Sequence, residues 1–175
     1  IRKPTNLPSL GGEIIILDRE SEVWRNNAME AFTINPVYKD NRLYTTIKRG
    51  ELICSDAENG EEIWTLKLAP DQVHASPTWA DGKLYVPMFD GKVSVVIDKG
   101  EEGEIISQVQ LVGSCLAAPS VAHGRVFIQS KKRLYCFGSD QVAPAFVSQQ
   151  TVTPSSNTQA LSLIHISEPT RHSII

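Results

Sequence analysis

The chain has 175 residues, which is enough for one domain with a sizeable core. Apolar residues make up 41% and charged residues 21%, as in an ordinary soluble globular protein. The net charge of -3 gives no indication of nucleic-acid binding, and no apolar run reaches the roughly 18 residues that predict a membrane span.

Residues 1–10 are predicted to be an irregular lead-in to the first strands. The chain begins at Ile1, with neither an initiating Met nor a signal peptide. Because the opening residues are typical of the middle of a domain, we expect the gene to begin further upstream.

The next stretch, "GGEIIILDRESEVW", matches the later stretch "RGELICSDAENGEEIW" when two residues are deleted. The match aligns Asp18 with Asp56 and Trp24 with Trp64. It predicts that the first strands are the outer half of a repeating unit.

Three later segments share a proline, a short strand, a turn and a second strand: "NPVYKDNRLYTTI", "SPTWADGKLYVPM" and "APSVAHGRVFIQS". Their prolines, Pro36, Pro77 and Pro119, are 41 and 42 residues apart. The turn residues are of the types that tolerate positive φ in two-residue hairpins. The predicted hairpin turns are Asp40-Asn41, Asp81-Gly82 and His123-Gly124.

A second turn in each repeat leads to a third strand: "ELICSD", "KVSVVID" or "RLYCF". In the first complete repeat a further turn, Asn59-Gly60, leads to a fourth strand, "EEIWTLKL". Four short antiparallel strands in a period of about 40 to 45 residues are typical of a β-propeller blade. We therefore predict an all-β fold over residues 11–138, with about two full four-stranded blades and two partial ones.

Beyond the blades the composition changes. Residues 139–160 are rich in Ser, Thr, Gln and Pro and are predicted to be a linker, although "APAFVSQQTV" within them has a strand-like pattern. Residues 161–175 begin "LSLIHISEPTR", which back-translates to a transposon-end adapter used in sequencing libraries. We expect this tail to be translated adapter and the chain to be a fragment of a longer protein.

The segment "CSDAENGEEIW" resembles the tryptophan-docking motif of the quinoprotein-type (PQQ-like) β-propellers, Ala-x-Asp-x-x-Thr-Gly-x-x-x-Trp. Asp56, Gly60 and Trp64 match at the required spacing. Cys54 stands in place of the Ala and Asn59 in place of the Thr. The resemblance implies that the tryptophan packs between neighbouring blades, while the aspartate and glycine shape the turn.

The same resemblance assigns a structural docking role to Asp18 and Trp24 in the first unit. The second full blade departs from the motif, because it keeps Asp98 but has Ile106 and Ser107 where the spacing places the tryptophan. The docking contact of that blade is therefore left open.

Few residues are of a type and in a position that indicate catalysis or ligand binding. The pairs Glu61-Glu62 and Glu101-Glu102 are interpreted as solvated turn residues, and His123 as a turn residue like Asp40 and Asp81. His74 and Trp79 each have two interpretations, one structural and one as a side chain lining the central channel. The three cysteines are interpreted as small buried hydrophobic residues.

Two hypotheses for the function of the chain are compatible with the sequence. The first is a non-catalytic binding or scaffold module of a larger exported protein, as in relatives that resemble the lipoprotein scaffold of outer-membrane assembly. The alternative is a fragment of a PQQ-dependent dehydrogenase, in which PQQ and calcium bind to residues outside this chain. No catalytic, cofactor-binding or metal-binding residue is predicted here. The resemblance implies protein partners on the propeller faces and a periplasmic, cell-surface or secreted location.

Overall fold

The computed structural model describes residues 12–19, 21–31, 33–70 and 74–138. These residues form thirteen strands in four antiparallel sheets, and none of them is helical. Accordingly, no helix capable of spanning a bilayer is found among them. The prediction of an all-β fold built from propeller blades is confirmed.

Three predicted segments lie outside the described residues. They are the lead-in at residues 1–10, the linker at residues 139–160 and the adapter-derived tail at residues 161–175.

The first sheet contains two strands, β1 (Gly12–Asp18) and β2 (Ser21–Ala31), which pair antiparallel. Ile16 pairs with Trp24, and a register shift beside this pair leaves Val23 unpaired in a β-bulge.

The second and third sheets are complete four-stranded blades in which each strand pairs with the next along the chain. The second sheet contains β3 (Val37–Lys39), β4 (Arg42–Ile47), β5 (Glu51–Asp56) and β6 (Glu62–Lys67). The third contains β7 (Thr78–Ala80), β8 (Lys83–Pro87), β9 (Lys92–Asp98) and β10 (Gly103–Gln110). The fourth sheet contains β11 (Ser120–Ala122), β12 (Arg125–Gln129) and β13 (Leu134–Phe137).

Each complete blade is buried on both faces, because it packs between two neighbours. In β5, Leu52 and Cys54 belong to the apolar cluster shared with the third blade, whereas Ile53 belongs to the cluster shared with the first. This explains why the middle of β5, Leu52 to Cys54, is apolar at three successive positions and does not alternate with polar residues.

The hairpin turn after the first strand of each blade has positive φ at both central residues. The values are 49° and 60° at Asp40 and Asn41, 50° and 68° at Asp81 and Gly82, and 51° and 67° at His123 and Gly124. Two residues with positive φ form the turn whose twist matches that of the flanking strands.

Candidate functional site

The first junction between blades is formed around Trp24. The indole Nε1 of Trp24 donates a hydrogen bond of 2.9 Å to the carbonyl of Ala57 in the next blade. The ring lies against Gly60, where an added Cβ would be 2.6 Å from Cε3 of Trp24. The carboxylate of Asp56 accepts a 2.7 Å bond from the amide of Glu58 within the same turn. Asp56 and Gly60 therefore lie in the turn that receives the tryptophan of the preceding blade.

The second junction is formed around Trp64 with a different acceptor. Trp64 Nε1 donates to Oδ1 of Asp98 across 3.1 Å. The ring lies against Gly103, where an added Cβ would be 2.8 Å from Cζ3 of Trp64. A carboxylate thus takes the place that a backbone carbonyl occupies in the first junction.

Asp98 is the centre of a larger hydrogen-bonded group. Its Oδ2 accepts 2.6 Å from the hydroxyl of Tyr44 and 2.9 Å from Nη1 of Arg42, both in the second blade. Its Oδ1 accepts 2.7 Å from the amide of Gly100, in addition to the bond from Trp64. Arg42 also donates 2.7 Å to the carbonyl of Gly100. Three of the four donors lie in the second blade, so each carboxylate oxygen takes part in joining two blades.

The protonation of this group follows from its surroundings. Burial alone would raise the pKa of Asp98, but the bonds from Tyr44, the Gly100 amide and Trp64, together with the Arg42 charge, lower it below its ordinary value. Burial and the bond to Asp98 raise the pKa of Tyr44, so the phenol stays protonated. Burial, with the nearby Asp98 charge, raises the pKa of the Cys54 thiol to about 11.

The sequence interpretation missed Arg42 and Tyr44. A usable signal existed, because a basic residue follows the hairpin turn in each repeat, as Arg42, Lys83 and Arg125. In two repeats it contacts a cysteine. Arg42 Nη1 lies 3.8 Å from Sγ of Cys54, and Arg125 Nη1 lies 3.9 Å from Sγ of Cys136.

The third junction has no tryptophan. Val95 pairs with Tyr85 as Cys54 pairs with Tyr44, and Ser107 pairs with Val95 as Trp64 pairs with Cys54. The place of the tryptophan therefore belongs to Ser107, one of the two residues given by sequence spacing, and the bulged residue before it, Ile106, is 44% exposed. The junction is filled instead by a smaller apolar cluster of Val93, Leu111, Cys115 and Ile128.

The remaining residues with candidate roles are separated from one another. Asp18 is exposed at the β1–β2 turn, where its carbonyl accepts 3.1 Å from the hydroxyl of Ser21. Trp79 stacks on Tyr44 at a centroid distance of 5.5 Å and packs against the core. His123 is exposed in its turn.

Both predicted glutamate pairs, Glu61-Glu62 and Glu101-Glu102, are exposed; all four residues lie in turns except Glu62, which begins β6. Of the cysteines, Cys54 and Cys115 are buried, but Cys136 is exposed, contrary to the expectation. Its strand, β13, is the outermost described strand of its sheet, which leaves the side chain uncovered.

Within the described residues, no group of three or more His, Cys, Asp or Glu side chains could hold a metal ion. Asp98, the carboxylate at the second junction, has its oxygens occupied by four donors. These residues do not fit the calcium site that a quinone cofactor of this kind would need.

The turns of an antiparallel meander alternate between the two ends of its strands, so the blades have two distinct faces. We call one the acidic face; it carries the β1–β2, β3–β4, β5–β6, β7–β8, β9–β10 and β11–β12 turns. Its described turn residues include six acidic and two basic ones, Asp40, Glu58, Glu61, Asp81, Glu101 and Glu102 against Arg19 and Lys99.

The opposite face carries the β4–β5, β8–β9 and β12–β13 turns and the loops between blades, and we call it the basic face. Its described turn and loop residues include five basic and one acidic, Lys48, Arg49, Lys131, Lys132 and Arg133 against Asp90. The two faces therefore differ in the sign of their charge.

A row of side chains crosses three blades on the basic face. Oγ1 of Thr33 lies 3.3 Å from Nδ1 of His74, and the rings of His74 and Phe89 meet edge to face at 5.1 Å. Nζ of Lys131 lies 5.6 Å above the Phe89 ring. This geometry is a cation–π contact.

A shallow depression of about 180 Å³ lies next to this row, between the β10–β11 loop and the β12–β13 turn. The Lys131 amide donates 2.9 Å to the carbonyl of Ser114, which holds the turn against the loop. Beside it, Val112 and Leu116 are 55% and 45% exposed. The lining residues are Ser114, Leu116, Ala117, Gln129, Ser130 and Lys131.

The family model described as outer membrane protein assembly factor BamB matches residues 11–101. BamB from Moraxella catarrhalis superposes with a TM-score of 0.62 at 16% identity, covering 73% of this chain and 40% of that one. The computationally designed Ika4 protein superposes with a TM-score of 0.58 at 13% identity, covering 67% of this chain and 72% of that one. At these identities the similarity shows the fold alone.

A quinohemoprotein alcohol dehydrogenase, ADHIIG from Pseudomonas putida HK5, superposes with a TM-score of 0.47 at 24% identity. The superposition covers 54% of this chain and 16% of the enzyme, and this match is too loose to indicate function. Among curated proteins, none matches the sequence. The chain spans 40% of the length of the BamB structure.

Proposed function

Because the chain belongs to the family described as outer membrane protein assembly factor BamB, we propose that its blades are a non-catalytic binding or scaffold module. The larger protein of which they are part is exported from the bacterial cytoplasm. Its partners are proteins, which contact the faces of the propeller. The outer-membrane assignment of the family supports both the export and the protein partners.

The observation that carries the proposal is the use of Asp98. Its two oxygens accept from Arg42, Tyr44, Trp64 and the Gly100 amide, so this carboxylate joins blades. A general base or a calcium ligand needs a free lone pair, and here four donors occupy the oxygens of Asp98.

A titration tests the non-catalytic assignment. The full-length protein, which includes the blades that lie outside this chain, is mixed with PQQ and Ca²⁺, and cofactor binding is followed by the quinone absorbance. We expect no saturable change and no dye-linked oxidation of alcohols or sugars. Saturable micromolar binding would support the alternative, a PQQ-dependent dehydrogenase.

A crosslinking experiment tests the scaffold role. A photoreactive amino acid is placed at an exposed position on each face, at Glu101 and at Lys132, and the chain is exported in a bacterial host. We expect a discrete adduct with a protein from at least one face, identified by mass spectrometry. The absence of any adduct from both faces would contradict the proposal.

A further inference from the structure

We infer that the basic face binds an acidic, extended segment of a partner protein, at the β12–β13 turn and the depression beside it. This inference rests on the proposed function, and it adds which face binds and what chemistry is recognised. Three observations on the described residues carry it.

The first observation is that two lysines of the basic face differ in their pairing from the lysines of the acidic face, although Arg49 on the basic face lies 3.7 Å from Glu51. On the acidic face Lys39, Lys83 and Lys99 lie 2.7, 2.6 and 3.2 Å from carboxylates. On the basic face, Lys131 and its neighbour Lys132 form no ion pair with any described residue. A carboxylate of a partner could therefore pair with them without displacing any of the described residues.

The second observation is that Lys131 is held in place. Its Nζ lies over the Phe89 ring, and its backbone amide is bonded to Ser114. The ammonium group keeps its donors for a further acceptor, because a ring face accepts the charge without a lone pair. A positioned cation loses less conformational entropy on binding than a free lysine side chain.

The third observation is the apolar surface next to these charges. Leu116 lines the depression, and Val112 is exposed beside it. An extended segment places successive side chains on opposite sides. A segment that alternates acidic and apolar residues could therefore pair with Lys131 and Lys132 while one apolar side chain enters the depression.

A protein segment fits this surface better than a nucleic acid or a membrane. Asp90 lies on the same face, between Phe89 and Gly91 in the chain, and the whole chain carries a net charge of -3. A long polyanion would meet repulsion beyond the local cations, whereas a short acidic segment contacts the cations alone.

The test uses a fluorescein-labelled peptide of sequence Glu-Leu-Glu-Ser-Glu-Leu-Glu and fluorescence anisotropy. We expect saturable binding that weakens as salt is added. The double variant Lys131→Glu/Lys132→Glu should weaken binding by about tenfold or more. Leu116→Ser, which leaves the charges intact, should weaken it by about threefold to tenfold through lost apolar contact.

The matched control is Lys39→Glu/Lys99→Glu, which changes the net charge equally on the acidic face. It should bind the peptide within about twofold of the unmodified chain. Circular dichroism confirms that each variant is folded. Equal weakening by the two double variants would overturn the inference, since only total charge would then matter.

Two further outcomes would also overturn it. One is equal binding of the peptide with lysine in place of glutamate. The other is tighter binding of phosphatidylglycerol vesicles or oligothymidine than of the peptide, lost in the same double variant. If the peptide does not bind while photocrosslinks form from Glu101, the scaffold role stands and only the inference about the basic face is wrong. If the peptide does not bind and no photocrosslink forms from either face, both the scaffold role and the basic-face inference are wrong.

Discussion

Trp64 in the second blade and Asp98 in the third are joined by a hydrogen bond of 3.1 Å between indole Nε1 and a carboxylate oxygen. The preceding junction uses an uncharged acceptor, the carbonyl of Ala57, for the indole of Trp24. Bonds to a charged acceptor contribute more than bonds to a neutral one. The two junctions should therefore respond differently to the same substitution.

Trp64→Phe and Trp24→Phe each remove the indole N–H and keep an aromatic ring. We expect Trp64→Phe to lower the free energy of unfolding by about 2–3 kcal/mol and Trp24→Phe by about 1–2 kcal/mol. Urea denaturation measures both. A larger loss for Trp24→Phe would contradict the charged-acceptor argument.

Asp98 should make stability depend on pH. Its folded-state pKa is lowered, so its contribution is present above its unfolded pKa of about 4 and is lost as pH falls through the folded value. Asp98→Asn should cost about 2–4 kcal/mol at neutral pH. It should also flatten the fall in stability below about pH 4, measured by urea denaturation across pH.

Asp81→Asn is the matched control for that series. The Asp81 carboxylate is exposed and, among the described residues, forms an ion pair only with Lys83 at the start of β8. Its removal should leave the acid slope almost as steep as in the unmodified chain. If Asp98→Asn retains the full slope, the group around Asp98 is not the source of the acid sensitivity.

Gly60→Ala tests the close approach of Trp24. Gly60 has a φ of 76°, and an added Cβ would be 2.6 Å from the ring, whereas at Gly82 φ is 68° and nothing lies within 4 Å. Gly82→Ala should cost about 1–2 kcal/mol from backbone strain alone. Gly60→Ala should cost about 2 kcal/mol more and change the tryptophan fluorescence. Equal costs would show that the ring moves aside freely.

Thr46 carries a buried hydroxyl without a partner in the described structure. Thr46→Val replaces that hydroxyl by a methyl group of similar size and should stabilise the chain by about 1 kcal/mol. Thr46→Ser keeps the hydroxyl but removes a methyl, and should destabilise by about 1 kcal/mol. Thermal melts compare the two, and effects of the same sign would contradict the interpretation.

The cysteines should react with a thiol reagent at different rates. Cys136 is exposed, whereas Cys54 and Cys115 have no exposed surface. Burial also raises the pKa of Cys54 to about 11, so little thiolate is present. We expect Ellman's reagent to modify Cys136 rapidly in the native chain and the other two only after denaturation. Rapid modification of Cys136→Ser would contradict this.

The sequence predicted the blades well because their signals are local. A proline, a two-residue turn and a β-rich run recur every 41 or 42 residues, and each of these fixes only its neighbours. The group around Asp98 could not be predicted in the same way. Arg42 and Asp98 are 56 residues apart in the chain and meet only after two blades have packed.

The third blade shows a second limit of sequence spacing. In each of the first three sheets a bulged residue, Val23, Ile63 or Ile106, comes just before the position that faces the next sheet. Counting from Asp98 named both Ile106 and Ser107 for that position, because spacing alone does not show which residue is bulged. The exposure of Cys136 was not predicted because an outermost strand has the same sequence pattern as an inner one.

The separation of acidic and basic turns gives the blades an electric dipole along the direction of their strands. An approaching charged protein would be rotated by this field before any contact forms, so most encounters would begin with one face forward. The effect would fade once salt shortened the Debye length to less than the thickness of a blade. The turns that carry lysine and those that carry glutamate thus set how an approaching protein is oriented. This effect on orientation is distinct from the affinity of the complex after contact.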